Sequence, residues 1–206
     1  MLASLPGSGH EIAQADLADA EGVRRMVDGA AEALGGLDVL VNNAGMYVEH
    51  RIAEVSYDEW RVAWQRTIEV NLFGTANVTY CVVRHMLERG GGTIVNVSSR
   101  GAFRGEPDHP AYGASKAGLN AMGQSLAIAL APHGIAVATV APGYVETDMA
   151  QSYLEVHGEE IRAQSPFGRV ARPEEVAAAV LYLASENARF ASGAILDVNG
   201  ASYLRT

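Results

Sequence analysis

The chain has 206 residues, enough to bury a sizeable core, and reads as one domain. Its 15 basic and 24 acidic residues leave a net charge of −9, which argues against a nucleic-acid or anionic-membrane partner. A single cysteine excludes an internal disulfide framework, no apolar run reaches the ~18 residues of a spanning helix, and residues 1–6 lack the basic start of a signal peptide, so a cytoplasmic setting is expected.

In chain order, residues 1–5 read as the end of a helix, and Pro6-Gly7-Ser8-Gly9 as a turn. No strand precedes those glycines, so they make no dinucleotide loop. Residues 11–15 can form a short strand. Asp19 then caps a helix to about Leu34, with Val23, Met26, Val27, Ala30, Ala31 and Leu34 on one face. Gly35-Gly36 breaks it, and residues 37–41 form an apolar strand of the kind covered on both faces. A helix from about Asp58 runs through Trp60, Trp64, Ile68 and Asn71 towards Leu87. Its Cys81 reads as a small buried apolar residue.

Gly90-Gly91-Gly92 precedes a strand at 93–97. The helix that follows Tyr112 ends near His133-Gly134. A strand at 135–140 stops at Pro142-Gly143, a helix at 174–185 follows Arg172-Pro173, and a last strand spans 194–198. Residues 147–170 are the least regular and read as a substrate flap. Strand and helix alternate throughout, which predicts an α/β fold with a doubly wound parallel sheet.

In such sheets ligands bind at the carboxyl ends of the strands. Asn42 and Asn43 follow one strand, Ser98 and Ser99 the next, and Pro142-Gly143 the third. Tyr112 and Lys116, four apart, share one helix face. An ammonium beside a phenol favours its ionisation and makes it an acid/base able to exchange a proton with a carbonyl or alcohol oxygen. His109, Arg100 and Arg104 could also meet substrate, although each also reads as a solvated surface residue. His85 and His133 read as helix-end residues. The six histidines lack metal-ligand spacing, so no transition-metal site is expected.

The phrases Leu37-Asp-Val-Leu-Val-Asn-Asn-Ala-Gly45, Val70-Asn71-Leu72, Ile94-Val-Asn-Val-Ser-Ser99, Tyr112-Gly-Ala-Ser-Lys-Ala-Gly118 and Pro142-Gly-Tyr-Val-Glu-Thr-Asp-Met149 stand in this order, with Ser99 thirteen residues before Tyr112. Together they resemble the short-chain dehydrogenase/reductase family from about Asp16 onwards. The tail from Pro166 through Gly193–Gly200 looks like its 3-oxoacyl-acyl-carrier-protein reductases.

The resemblance implies a Rossmann-like fold and an NAD- or NADP-dependent interconversion of a ketone and a secondary alcohol. In that scheme Tyr112 gives or takes the proton. Lys116 lowers the phenol pKa and holds the nicotinamide ribose. Ser99, rather than Ser98, binds the substrate oxygen, and Asn71 supports a proton-resupplying water relay. Asn43, Ala44 and Gly45 approach the adenosine ribose, Asp16 and Leu17 the adenine, and Pro142, Gly143, Val145 and Thr147 the nicotinamide. It also implies homodimers or homotetramers. Helices 72–88 and 113–131 carry more apolar surface than one sheet contact needs.

The family's opening strand, Thr-Gly-x-x-x-Gly-x-Gly turn, helix and second strand have no counterpart in the sequence. The expectation is an N-terminally incomplete domain, residues 1–206, lacking the first βαβ unit. The chain would be either a piece of a longer enzyme or a shortened, inactive member acting as an oligomerisation or regulatory module. Strand 37–41 would become a free edge, paired inward by residues 11–15 or covered by another chain, and the 206 residues alone would bind either cofactor weakly.

Overall fold

The computed structural model describes residues 5–205. Four parallel strands form one sheet: β1 (Val39–Asn42), β2 (Gly92–Val97), β3 (Ile135–Pro142) and β4 (Ile195–Val198), in that spatial order. The helices are α1 (Ala20–Leu34), α2 (Tyr57–Ile68), α3 (Thr75–Arg89), α4 (Pro110–Leu130), α5 (Asp148–Ala163) and α6 (Pro173–Ala184). The expected α/β fold with a parallel sheet is therefore present. The expected helix end at 1–5 lies, apart from Leu5, outside the described residues. No helix among the described residues is long and apolar enough to cross a membrane.

Alternate strand residues point to opposite faces and build two cores. Ile94, Ile135 and Val137 pack with Val23 and Val27 of α1, Val78, Val82 and Met86 of α3, and Ala127 and Leu130 of α4. On the other face Val95, Ala138 and Val140 pack with Leu183 of α6 and Ala188. The sheet is thus covered on both sides. Strand β3 is buried along its whole length, as its apolar sequence requires. Cys81 is half-buried against the first core.

Helix boundaries follow local chemistry. Asp19 has the extended backbone of an N-cap, and Gly35 ends α1 in the left-handed region at φ 73°. Of the expected face of α1, Val23, Val27 and Ala31 are buried, while Leu34 at the last turn stays exposed. Ser56 and Glu59 form a reciprocal capping box that starts α2. The expected long helix through Asn71 contains one widened turn, Glu69–Gly74, with π-helical bonding between α2 and α3.

Two expectations are corrected. Residues 11–15 form no strand and pair with nothing among the described residues. That segment carries one large apolar side chain, Ile12, and it is exposed, so pairing would bury too little to offset ordering the chain. Residues 147–170 are not irregular, because α5 occupies most of them. Tyr153, His157 and Ile161 recur every fourth residue along its buried side.

Among the described residues strand β1 pairs only with β2, and Val39 and Val41 remain 48% and 41% exposed. The free apolar edge expected at 37–41 is present, and residues 11–15 do not fill it.

Candidate active site

The carboxyl ends of β1, β2 and β3 open into one cleft of about 800 Å³. Asn43 and Gly45 enter it after β1, Ser98 and Ser99 after β2, and Pro142, Gly143, Val145 and Thr147 after β3. Helix α4 supplies Tyr112 and Lys116 from its first two turns. Pro110 at its start lacks the N–H that would be unpaired there, which favours beginning the helix at this point. Most of the expected cofactor-side residues therefore share the cleft. Ala44, Asp16 and Leu17 do not line it. Ala44 is exposed, Asp16 folds back to accept from the Ala18 amide at 2.9 Å, and Leu17 packs against the first core.

The two serines separate cleanly. Ser98 is buried and its hydroxyl donates to the Lys116 carbonyl at 3.3 Å, so it fastens β2 to α4. Ser99 is half-buried; its Oγ accepts from the Gly101 amide at 3.0 Å and its hydroxyl faces the Tyr112 phenol.

Asn71 lies under the site rather than in it. The widened turn aims its amide at the loop after β1. There Oδ1 accepts from the Met46 amide at 2.8 Å, and Nδ2 donates to the Met46 carbonyl at 2.9 Å and to Ser115 Oγ at 3.2 Å. Ser115 in turn donates to the Tyr112 carbonyl at 2.7 Å. One side chain thus ties the Asn-Asn-Ala-Gly loop to the helix that carries Tyr112. Asn42 does comparable work within the sheet, donating to Thr79 and Asn96.

The electrostatics reverse one expectation. Lys116 is 4% exposed, its Nζ donates to the Val97 carbonyl at 2.8 Å, and burial pulls its pKa down to about 8. Its Nζ lies 5.6 Å from the Tyr112 ring centre. The phenol is not lowered: burial pushes it up to about 12, opposed by the Ser99 hydroxyl and reinforced by Glu106 and Tyr144. Desolvation is the largest cause for both groups, and it disfavours the charged form of each. Burial thus favours the protonated, neutral form of the Tyr112 phenol.

Around this centre lie groups that the sequence reading placed otherwise or missed. His109 is not solvated: it is 3% exposed, stacks on Tyr47 with centroids 3.6 Å apart, and burial lowers its pKa to about 4. Arg100 is not a surface charge either. Its guanidinium is buried, donates to Ser202 Oγ and Gln164 Oε1 at 2.7 Å each, and lies 5.0 Å from the Tyr144 ring. Arg104 shares the Gln164 acceptor at 3.1 Å.

His50, which drew no comment as sequence, is 1% exposed and bridges two segments. Its Nδ1 lies 2.8 Å from the Val48 carbonyl, and its Nε2 accepts from the Ala111 amide at 3.2 Å. Those partners assign the neutral tautomer with the proton on Nδ1. Glu106 and Tyr47 also line the cleft beside Tyr112. His85 pairs with Asp28 across α1 and α3, and His133 sits in the turn that ends α4. Among the described residues no group of three or more His, Cys, Asp or Glu is placed to hold a metal.

Comparison with known proteins agrees with this geometry. Residues 2–201 match the family profile described as enoyl-(acyl carrier protein) reductase. The 3-oxoacyl-(acyl-carrier-protein) reductase FabG of Thermotoga maritima is 36% identical over 185 residues, spanning 90% of this chain and 74% of the relative. A cis-4-hydroxycyclohexanecarboxylate dehydrogenase of Sinomonas cyclohexanicum is 40% identical over 199 residues, or 96% and 79% of the two chains. Among solved structures, a gluconate 5-dehydrogenase from Burkholderia cenocepacia in complex with NADP and tartrate superposes with a TM-score of 0.85 at 30% identity, covering 92% of this chain and 74% of that one. A parallel sheet with its cleft at the strand ends, a Tyr–Lys helix face within that cleft and these relatives lead to one assignment: the chain belongs to the short-chain dehydrogenase/reductase family of NAD- or NADP-dependent oxidoreductases.

Proposed function

We propose that Tyr112 and Ser99 reduce a ketone to a secondary alcohol, and run the reverse reaction, in the cleft at the ends of β1–β3. The supporting observation is convergence: Ser99 and Tyr112 face each other there with Lys116 beneath them, while Ser98 is turned away into α4.

A nicotinamide dinucleotide suits this cleft at its reactive end. Gly45 has no side chain, and a Cβ there would stand 3.6 Å from Lys116 Nζ, so the ammonium keeps open space towards the loop. Lys116 would hold the ribose, with Pro142, Gly143, Val145 and Thr147 beside the ring and Asn43 towards the adenosine end. When bound, the dinucleotide supplies or accepts the hydride.

The protein's part is positioning and proton transfer. The Ser99 hydroxyl donates to the substrate oxygen and stabilises charge developing on it. The Tyr112 phenol, neutral at the start, delivers its proton to that oxygen in reduction and recovers it in oxidation. Asn71 keeps Tyr112 in register through Ser115, and we assign it to the support of a water path that restores the proton. Helix α5 begins at the cleft mouth with Thr147, Met149 and Ala150 on the lining, and forms the substrate-side wall of the 147–170 segment.

The two serines provide the test. In the full-length protein, Ser99→Ala lowers turnover of a ketone about a hundredfold, the scale of one lost donor to a developing oxyanion. Ser98→Ala instead lowers stability by about 1 kcal/mol, the worth of one buried hydrogen bond. Steady-state kinetics and urea melts of both variants separate these effects. Near-full activity of Ser99→Ala would overturn the assignment.

We further propose that the protein assembles as a homodimer or homotetramer through the outer faces of α3 and α4. Phe73 in the widened turn before α3, Tyr80 on α3 and Ile128 on α4 are 60%, 68% and 80% exposed, large apolar groups that a second copy would cover. Light scattering at micromolar concentration is expected to give a multiple of the protomer mass; a monomer removes the idea.

A further inference from the structure

The cleft contains one carboxyl group with no assigned work. Glu106 lines it together with Tyr47, Ser99, Tyr112 and Tyr144. Burial raises its pKa, and Arg100 and Arg104 oppose that rise from nearby without bonding to it. Arg100 donates to Ser202 and Gln164, Arg104 donates to Gln164, and among the described residues Glu106 forms no ion pair. Its side chain is nonetheless held in place. It rests on Gly101, where a Cβ would fall 2.7 Å from Oε1, and Gly101 is bonded to Ser99 Oγ. Its carbonyl accepts from the His109 amide at 3.0 Å, one turn before Tyr112. Tyr47 lines the cleft beside it, and the Tyr47 ring meets the Tyr112 ring edge-on at 4.7 Å.

A carboxylate is an acceptor only, with about four lone-pair positions. Glu106 lines the cleft beside the Ser99–Tyr112 pair, so these positions can receive donors from a bound substrate. A buried carboxylate there is costly unless it gains donors when substrate binds. It repels a substrate carboxylate and offers nothing to a bare hydrocarbon. Tyr47, Tyr144 and Tyr153 line the same cleft with aromatic rings that carry hydroxyls. A neutral carbon skeleton bearing a second hydroxyl meets all of these demands.

We propose that Glu106 binds substrate by accepting a hydrogen bond from a hydroxyl on the carbon next to the reacting one, so that the preferred substrates are neutral vicinal diols and the corresponding α-hydroxy ketones. The proposal rests on the reading of Tyr112 and Ser99 given above, and it names the substrate class of that same cleft.

The test compares cis-1,2-cyclohexanediol with cyclohexanol as substrates of the full-length protein, with NAD+ and NADP+ each supplied in excess. The diol is expected to show a kcat/KM at least about tenfold above the mono-alcohol, the scale of one hydrogen bond to a charged group. Glu106→Gln keeps the shape and removes the charge; it is expected to cut that ratio severalfold, and Glu106→Leu to abolish it. Far-ultraviolet circular dichroism of each variant establishes that it is folded. Loss of activity on both alcohols in Tyr112→Phe shows that the catalytic reading stands independently. No diol preference in the wild-type protein, no turnover of the diol, or an unaltered ratio in folded Glu106→Leu each overturns the role of Glu106. Retained activity in Tyr112→Phe would instead overturn the catalytic reading on which it depends.

Discussion

Tyr112→Phe in the full-length protein is expected to lower turnover by about a hundredfold or more while leaving cofactor affinity nearly unchanged. The substitution removes one hydroxyl and keeps the ring that packs edge-on against Tyr47. General acid catalysis by a positioned group contributes on the order of 10²–10⁴-fold, and no other group with a transferable proton is paired with Ser99 in the cleft. Because burial holds the phenol up at about 12, the wild-type enzyme carries its proton across the whole neutral range. Reduction should therefore show no loss attributable to Tyr112 up to about pH 10. Stopped-flow reduction of a ketone from pH 6 to 10, with cofactor titration alongside, checks both parts. Activity within threefold of wild type in the variant would sink the proton-donor role.

Lys116→Met is expected to cost activity and gain stability. Lys116 is the only lysine in the sequence, and the structure buries it with one backbone partner. Its pKa falls from the ordinary 10.5 to about 8 on folding, so between those values the unfolded chain binds more protons than the native one. Stability therefore rises with pH across that window. Below about pH 8 the charge is present in both states and the native state carries the full burial penalty, on the order of 3 kcal/mol. Methionine is an unbranched chain one atom shorter that carries no charge. It leaves the Val97 carbonyl without its donor, at a cost of about 1 kcal/mol, so a net gain of about 1–2 kcal/mol is expected at pH 7. Turnover should fall at the same time, because the proposed role of Lys116 is to hold the cofactor ribose. Urea denaturation at pH 7, 8.5 and 10 reads both the gain and the disappearance of the pH-dependent rise. A variant less stable than wild type at pH 7 contradicts the burial argument. Selective carbon-13 labelling of lysine gives a single side-chain signal, and its titration midpoint should lie near 8.

Much of the fold was legible because it follows from local rules. Apolar runs bounded by Gly35-Gly36, Gly90-Gly91 and His133-Gly134 became strands within two residues of their expected limits. The Tyr–Lys pair and the small residues at three strand ends were legible for the same reason: spacing on a helix and position after a strand fix where a side chain goes. Residues 11–15 misled because a short pentapeptide reports what it could pair as, not whether a partner edge lies within reach. Helix α5 was hidden by Glu155, Glu159 and Glu160 on its outer side, although the four-residue spacing of Tyr153, His157 and Ile161 was present.

Long-range chemistry was not legible. His50 bonds the Ala111 amide sixty-one positions away, and Arg100 reaches Ser202 across 102. No local pattern marks either one. The direction of the Tyr112 shift also depends on a quantity absent from sequence, namely how deeply the phenol is buried relative to its neighbours.

The widened turn at Glu69–Gly74 sets the phase of everything that precedes it. Each residue of an ordinary helix advances about 100°, so side chains four apart drift by about 40° per step. Ala63, Thr67, Asn71, Thr75 and Thr79 are nevertheless all buried, in four successive steps of four. The extra residue in the turn absorbs that drift. The carbonyl of Asn71 still finds a donor in the Thr75 hydroxyl at 3.0 Å, so the irregular bonding leaves that acceptor satisfied. Length within this segment is consequently not interchangeable. Removing one residue would restore regular bonding and rotate Ala63 and Thr67 about a quarter-turn relative to Val78 and Val82. Either the contact of α2 with α4 or that of α3 with the sheet would then be lost. A chain that tolerates insertions in its surface loops should tolerate none between Thr67 and Thr75.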